Sequence, residues 1–274
     1  MFAAAFPALR PGTMLVQGFT LARRRMPPVD ADIELWLIDL TQCAPVLEAL
    51  EQDIPRLAET DRERAGVIRD AGARRQRMAA YVALRVLLER AVGTGIRRQP
   101  LLHGAGGKPG LAGGEAQFSL SHIEGFALIG VAAANPIGVD LERTRPLKLP
   151  PRRREELCAA GAGLAGKRLP GTGTDRATIQ AWVRLEAFTK ARGRALARTL
   201  ADLGLRGKAR RPLPLADLET AARRLARRAG FDVFDLELPP GLQAAVAVPV
   251  GVGLPGLRLF PAHRAGAEQL LAAP

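Results

Sequence analysis

Hydrophobic and polar positions change period several times along this chain. Ile33-Glu34-Leu35-Trp36-Leu37-Ile38 alternates, which predicts a first strand after Pro27-Pro28. Residues 44–52 predict a short helix. From about 60 to 92 the apolar residues Ala79, Val82, Val86, Leu87 and Ala91 return at helical spacing, predicting one or two long helices stopped by Gly93 and Gly95. The run 104–110 is too rich in glycine for a helix or strand interior and predicts a loop. Residues 117–120, 126–133 and 137–142 then predict three strands of a meander, separated by turns at 121–125 and at Asn135-Pro136.

Pro146, Pro150 and Pro151 interrupt the pattern and predict a boundary. Beyond it the chain predicts a helix at 152–160, a loop at 161–174 and a long helix at 177–197. A shorter helix or a turn follows at 217–229. Strands at 231–238 and 244–249 are then joined through Pro239-Pro240-Gly241. The order predicts an α+β fold with an N-terminal half at 29–146, a C-terminal half at 147–250 and a tail at 251–274. One element is used twice in it, although the self-similarity is too weak to establish a repeat from residues alone. Residues 1–28 open with the apolar Phe2–Ala5 stretch and Phe6, with no basic segment before it and with Pro7 and Arg10 breaking it, so no signal peptide is read. With Met14 and Met26 close downstream, an upstream extension or flexible arm before the fold is expected.

Charge changes the picture next. A net charge of +13 favours a polyanionic partner: nucleic acid, an anionic membrane, a phosphorylated cofactor or an acidic protein. Only five of the 40 basic residues are lysine, so the arginine excess reads as compositional bias rather than a clustered phosphate-tracking stripe. One Tyr and two Trp leave few residues for stacking bases. No nucleic-acid partner is therefore expected. Cys43 and Cys158 have no metal-type spacing and predict a reduced, cytoplasmic setting. No run reaches the roughly 18–20 apolar residues of a spanning helix, so no membrane role is expected.

Candidate chemistry rests on Asp140, Glu142, Glu186 and Lys190. Alternate residues of a strand share a face, so Asp140 and Glu142 project together while Val139 and Leu141 bury. Residues four apart on a helix also share a face, which sets Glu186 beside Lys190 with Trp182 one turn earlier. Three hard oxygen donors and an ammonium suit Mg2+ and a diphosphate substrate. Each piece has a plainer reading. Asp140 and Glu142 could be a solvated strand face, Glu186 and Lys190 a surface pair worth about 0.2–0.5 kcal/mol, and His122 a turn residue. No GxxxxGK[ST] phosphate loop is present.

Four stretches in one order resolve these alternatives: Gly106-Gly107-Lys108-Pro109, Phe118-Ser119-Leu120-Ser121-His122, Ile137-Gly138-Val139-Asp140-Leu141-Glu142, and Trp182 through Lys190. Over roughly residues 33–250 the chain resembles the 4′-phosphopantetheinyl transferases of the Sfp-like class. That resemblance implies two similar halves forming a pseudodimer within one chain, and hence a monomer. It implies transfer of the phosphopantetheine arm of coenzyme A to a serine of an acidic acyl or peptidyl carrier protein, with release of 3′,5′-ADP. Asp140, Glu142 and Glu186 would hold Mg2+. Glu186 would act as general base, and Lys190 would pair with the phosphate. Ser121 and His122 would contact the 3′-phosphate, as would Lys108 with Pro109 beside it, and Arg77 is added to the same anion site. Leu185 departs from the family pattern, which has lysine there. The alternative from another class is a non-catalytic basic protein that binds nucleic acid or an acidic protein.

Overall fold

The computed structural model describes residues 33–104, 106–206 and 213–272; the expected arm at 1–28 lies outside the described residues. The first strand, β1 (Ile33–Asp39), ends on Asp39, whose carboxylate caps the next helix by accepting from Thr41 N and Gln42 N. That helix, α1 (Leu40–Asp53), is followed by the short α2 (Glu59–Gly66) and the long α3 (Ala71–Val92), which Asp70 caps. The glycine-rich segment expected as a plain loop carries a two-residue ladder between β2 (Leu102–His103) and β3 (Pro109–Gly110). Next come β4 (Gln117–Ile123), β5 (Phe126–Ala132) and β6 (Gly138–Arg143). Ser121 and His122 therefore sit in a strand, and the turn after them narrows to Glu124 and Gly125.

The remaining elements are α4 (Pro151–Ala165), α5 (Asp175–Ala191), α6 (Leu196–Asp202), α7 (Leu215–Ala229), β7 (Phe231–Asp235), β8 (Leu242–Pro249), β9 (Leu257–Leu259) and α8 (Arg264–Ala272). Helix α4 runs on through the expected loop at 161–165. Gly161 and Gly163 stay helical because they let α5 and α7 come close: a Cβ on Gly161 would meet Ala181 Cα at 2.7 Å, and one on Gly163 would meet Glu219 O at 2.2 Å. The expected helix at 177–197 is two helices, α5 and α6.

Two corrections concern the sheets. The three-stranded meander does not form: β4 and β5 pair in one sheet of order β4-β5-β1-β9, whereas β6 pairs antiparallel with β8 in a second sheet of order β6-β8-β7. The tail expected at 251–274 is not separate, since β9 adds to β1 in parallel and α8 packs on α3. Alternation along the strands explains the layering. Trp36 and Ile38 of β1 face a core under α1 and α3, while Ile33, Leu35 and Leu37 face a second core shared with Val139, Leu141, Ala244 and Val246 of the other sheet. A third core lies between the second sheet and α4, α5 and α7. Apolar surface thus binds the two sheets to each other as well as to their helices. The first three strands of each sheet follow the same order, β4-β5-β1 and β7-β8-β6. Among the described residues no helix is long and apolar enough to cross a membrane.

Candidate active site at the seam between the sheets

Strands β4 and β6 lie side by side without a backbone ladder, and serine side chains join them instead. Ser119 Oγ accepts from Val139 N at 3.0 Å, and Ser121 Oγ accepts from Leu141 N at 3.3 Å. Ser121 Oγ also donates to Asp140 Oδ1 at 2.8 Å. These hydroxyls satisfy buried amides that would otherwise be orphaned. Helix α5 reaches the same seam because Gly138 has no side chain: a Cβ there would lie 2.0 Å from Ala187 O. The close approach sets Lys190 Nζ 2.6 Å from Asp140 Oδ1 and 3.1 Å from Val139 O.

Asp140 is buried and Glu186 half-buried. Burial raises both carboxylates above their usual range. For Asp140 this outweighs Lys190 and Ser121, and for Glu186 the charges of Asp140 and Glu142 add to it. The three predicted carboxylates therefore share one electrostatic neighbourhood. They do not converge as ligands: among the described residues no group of three or more His, Cys, Asp or Glu stands ready to hold a metal ion. Glu142 is instead paired with Arg145 Nη1 at 2.6 Å, and Asp140 with Lys190.

Beside the seam opens a cleft of about 320 Å3. Arg77, Pro109, Ser121, His122 and Lys190, all predicted, line it together with Arg64, Tyr81 and His103, which sequence reasoning missed. Arg77 lies over the Tyr81 ring at 5.6 Å and bonds its hydroxyl at 3.2 Å, while its buried Nε has no hydrogen-bond partner among the described residues. Arg64 Nη2 lies 3.2 Å from His103 Nδ1. The acidic lining residue Asp61 is occupied by the buried Arg85 at 2.6 Å. Burial, then Arg77, then Lys190 push the His122 imidazole down to about 4, so it is neutral at physiological pH.

Lys108 departs from its expected place. It does not line the cleft; Nζ donates to Ile137 O at 2.9 Å, and burial pushes its ammonium down to about 8. Its loop is anchored by backbone: a Cβ on Gly106 would lie 2.0 Å from Gly193 O, just past the end of α5. Leu185 has a packing reason. It is fully buried in the core between α4, α5 and the second sheet, where a lysine ammonium would be desolvated. Arg64 and His103 carried little signal, lying 39 residues apart in a chain rich in arginine.

No protein-family model matches the chain, and no curated protein matches it.

Proposed function

We propose that the protein transfers the 4′-phosphopantetheine arm of coenzyme A to a serine hydroxyl of an apo carrier protein. One observation carries this reading: Lys190 belongs at once to the cationic cleft and to the carboxylate group, so an anion in the cleft and a cation on the carboxylates would meet at its ammonium. Arg64, Arg77 and Lys190 together favour a polyphosphate. The repeated strand order supports two similar halves in one chain, a pseudodimer acting as a monomer, with the site where they meet.

The residues suit magnesium in chemistry. Asp140, Glu142 and Glu186 offer hard oxygen donors, and burial holds Asp140 and Glu186 above the usual carboxylate range, a penalty on their charged forms that a divalent cation would relieve. Holding Mg2+ would require Glu142 to leave Arg145 and the three carboxylates to close on the ion, which when bound would neutralise charge on the coenzyme diphosphate. The chain's own groups do the rest. Lys190 spends two of its three N–H groups on Asp140 and Val139 and keeps one for a phosphate oxygen. Arg77 and Arg64 hold the anionic end, with neutral His122 donating one hydrogen bond. Glu186, held high by burial and like charge, takes the serine proton. The serine oxygen bonds to the phosphorus next to pantetheine, the bond to the ADP oxygen breaks, and 3′,5′-ADP leaves. The positive surface suits an acidic carrier domain.

Incubating the protein with coenzyme A, Mg2+ and several apo carrier proteins tests the reading by mass spectrometry. The expected result is a phosphopantetheine increment on at least one carrier, reduced roughly 10²–10⁴-fold in Glu186→Gln. No increment on any carrier sinks the proposal.

A further inference from the structure

Neighbouring residues on a strand point to opposite faces. Phe118 and Leu120 of β4 pack into the core beneath α1 and α3, which puts His122 on that same side, near Arg77. Ser119 and Ser121 point the other way, to β6. The Ser121-His122 pair is therefore split by the pleat: both residues border the cleft, but the serine hydroxyl is turned to the Asp140 carboxylate.

A proton count sharpens the difference. A serine hydroxyl has one proton to give. Ser121 gives it to Asp140 Oδ1 at 2.8 Å and receives one from Leu141 N at 3.3 Å. A phosphate oxygen can only accept, so binding one would require Ser121 to release Asp140. Asp140 Oδ1 also accepts from Lys190 Nζ at 2.6 Å. The carboxylate is held between two donors from different elements, one on β4 and one on α5.

We propose that Ser121 is a positioning residue that fixes the Asp140 carboxylate across the seam, rather than a ligand of the coenzyme phosphate. This rests on the transferase reading above. Ser119 provides an internal control: it makes the equivalent bond to a β6 amide, Val139 N, in the same buried seam, and no bond to Asp140 involves it.

The experiment compares Ser121→Ala and Ser119→Ala with the wild type in steady-state transfer, in Mg2+ titration and in equilibrium unfolding of the ligand-free protein. Ser121→Ala is expected to lower kcat roughly 10- to 100-fold and to raise the Mg2+ concentration for half-maximal rate. KM for coenzyme A should stay within about twofold, and so should the preference for coenzyme A over dephospho-coenzyme A, because a group acting only on the chemical step leaves uniform binding unchanged. Ser119→Ala should lose stability and keep the wild-type Mg2+ dependence. A large rise in KM together with loss of that preference in Ser121→Ala overturns the proposal and makes Ser121 a phosphate ligand. Unfolding supplies the readout independent of turnover. The loss from Ser121→Ala should shrink in an Asp140→Ala background, whereas the loss from Ser119→Ala should add. Additive losses for Ser121 and Asp140 overturn the proposal. A wild-type protein that transfers nothing defeats the transferase reading instead, which separates the two failures.

Discussion

Strands β4 and β7 hold the same place in the repeated strand order, yet their polar side chains are used in opposite ways. On β7, Asp235 accepts from Arg184 Nε at 2.7 Å, Arg184 Nη2 at 2.6 Å and Gln180 Nε2 at 2.7 Å. The same fully buried arginine also donates to Gly161 O and Lys167 O. Donors and acceptors are matched there, and the network ties β7 to α4 and α5. Around β4 the matching is incomplete. Lys190 keeps a free N–H, Arg77 Nε is buried without a partner among the described residues, and Asp140 and Glu186 are raised. A closed polar network marks architecture, whereas unspent donors beside carboxylates held above their usual range are where we propose that the ligand binds.

Breaking the closed network should have the largest effect. Arg184→Ala leaves Asp235 without its main partner and orphans two carbonyls, with an expected loss of about 3–5 kcal/mol in denaturant unfolding. Wild-type stability in that variant would show the network to be ornamental. Ser119→Ala should cost less, about 1–3 kcal/mol, because it orphans only the buried Val139 amide. A change indistinguishable from zero would mean that the seam does not depend on its hydroxyls.

A further effect separates the two regions by pH. His122 has a folded value of about 4 against 6.5 unfolded, so between those values the unfolded chain binds more protons. Stability from this group is present above about 6.5 and is lost as pH falls toward 4. The melting temperature of the wild type minus that of His122→Gln should therefore decline across that window. Asp140 and Glu186 titrate in the opposite sense, being raised, and largely cancel in the difference. A flat difference would place His122 outside the buried cationic cleft.

Much of this was legible beforehand for physical reasons. Periodicity located β1, α3, β5 and α5 because burial on one face repeats at a fixed interval. Strand alternation likewise set Asp140 and Glu142 on one face, whereas the Ser121-His122 pair was singled out by the family resemblance and expected in a turn rather than in β4. Which strand neighbours which was not: alternation in β6 says that Val139 and Leu141 are covered, and either sheet could have covered them. Lys108 misled because a lysine among glycines looks like an anion site, and only the fold reveals that Ile137 O captures it. The three residues of β9 are too few to carry a period. The three carboxylates that we propose as metal ligands lie in one neighbourhood, but the pairing of Glu142 with Arg145 was not read from the sequence.

The placement of β9 also governs the order of events when the chain is made. Arg258 on β9 reaches Glu34 on β1 across 224 residues, and it covers the Trp36 ring at 5.5 Å. During synthesis the edge of β1 waits open while the whole second half emerges, a period of exposure that non-local pairing lengthens. The second half is thus bracketed in the sequence by the partners of a single pairing, β1 and β9, so that cutting the chain between the halves would part them.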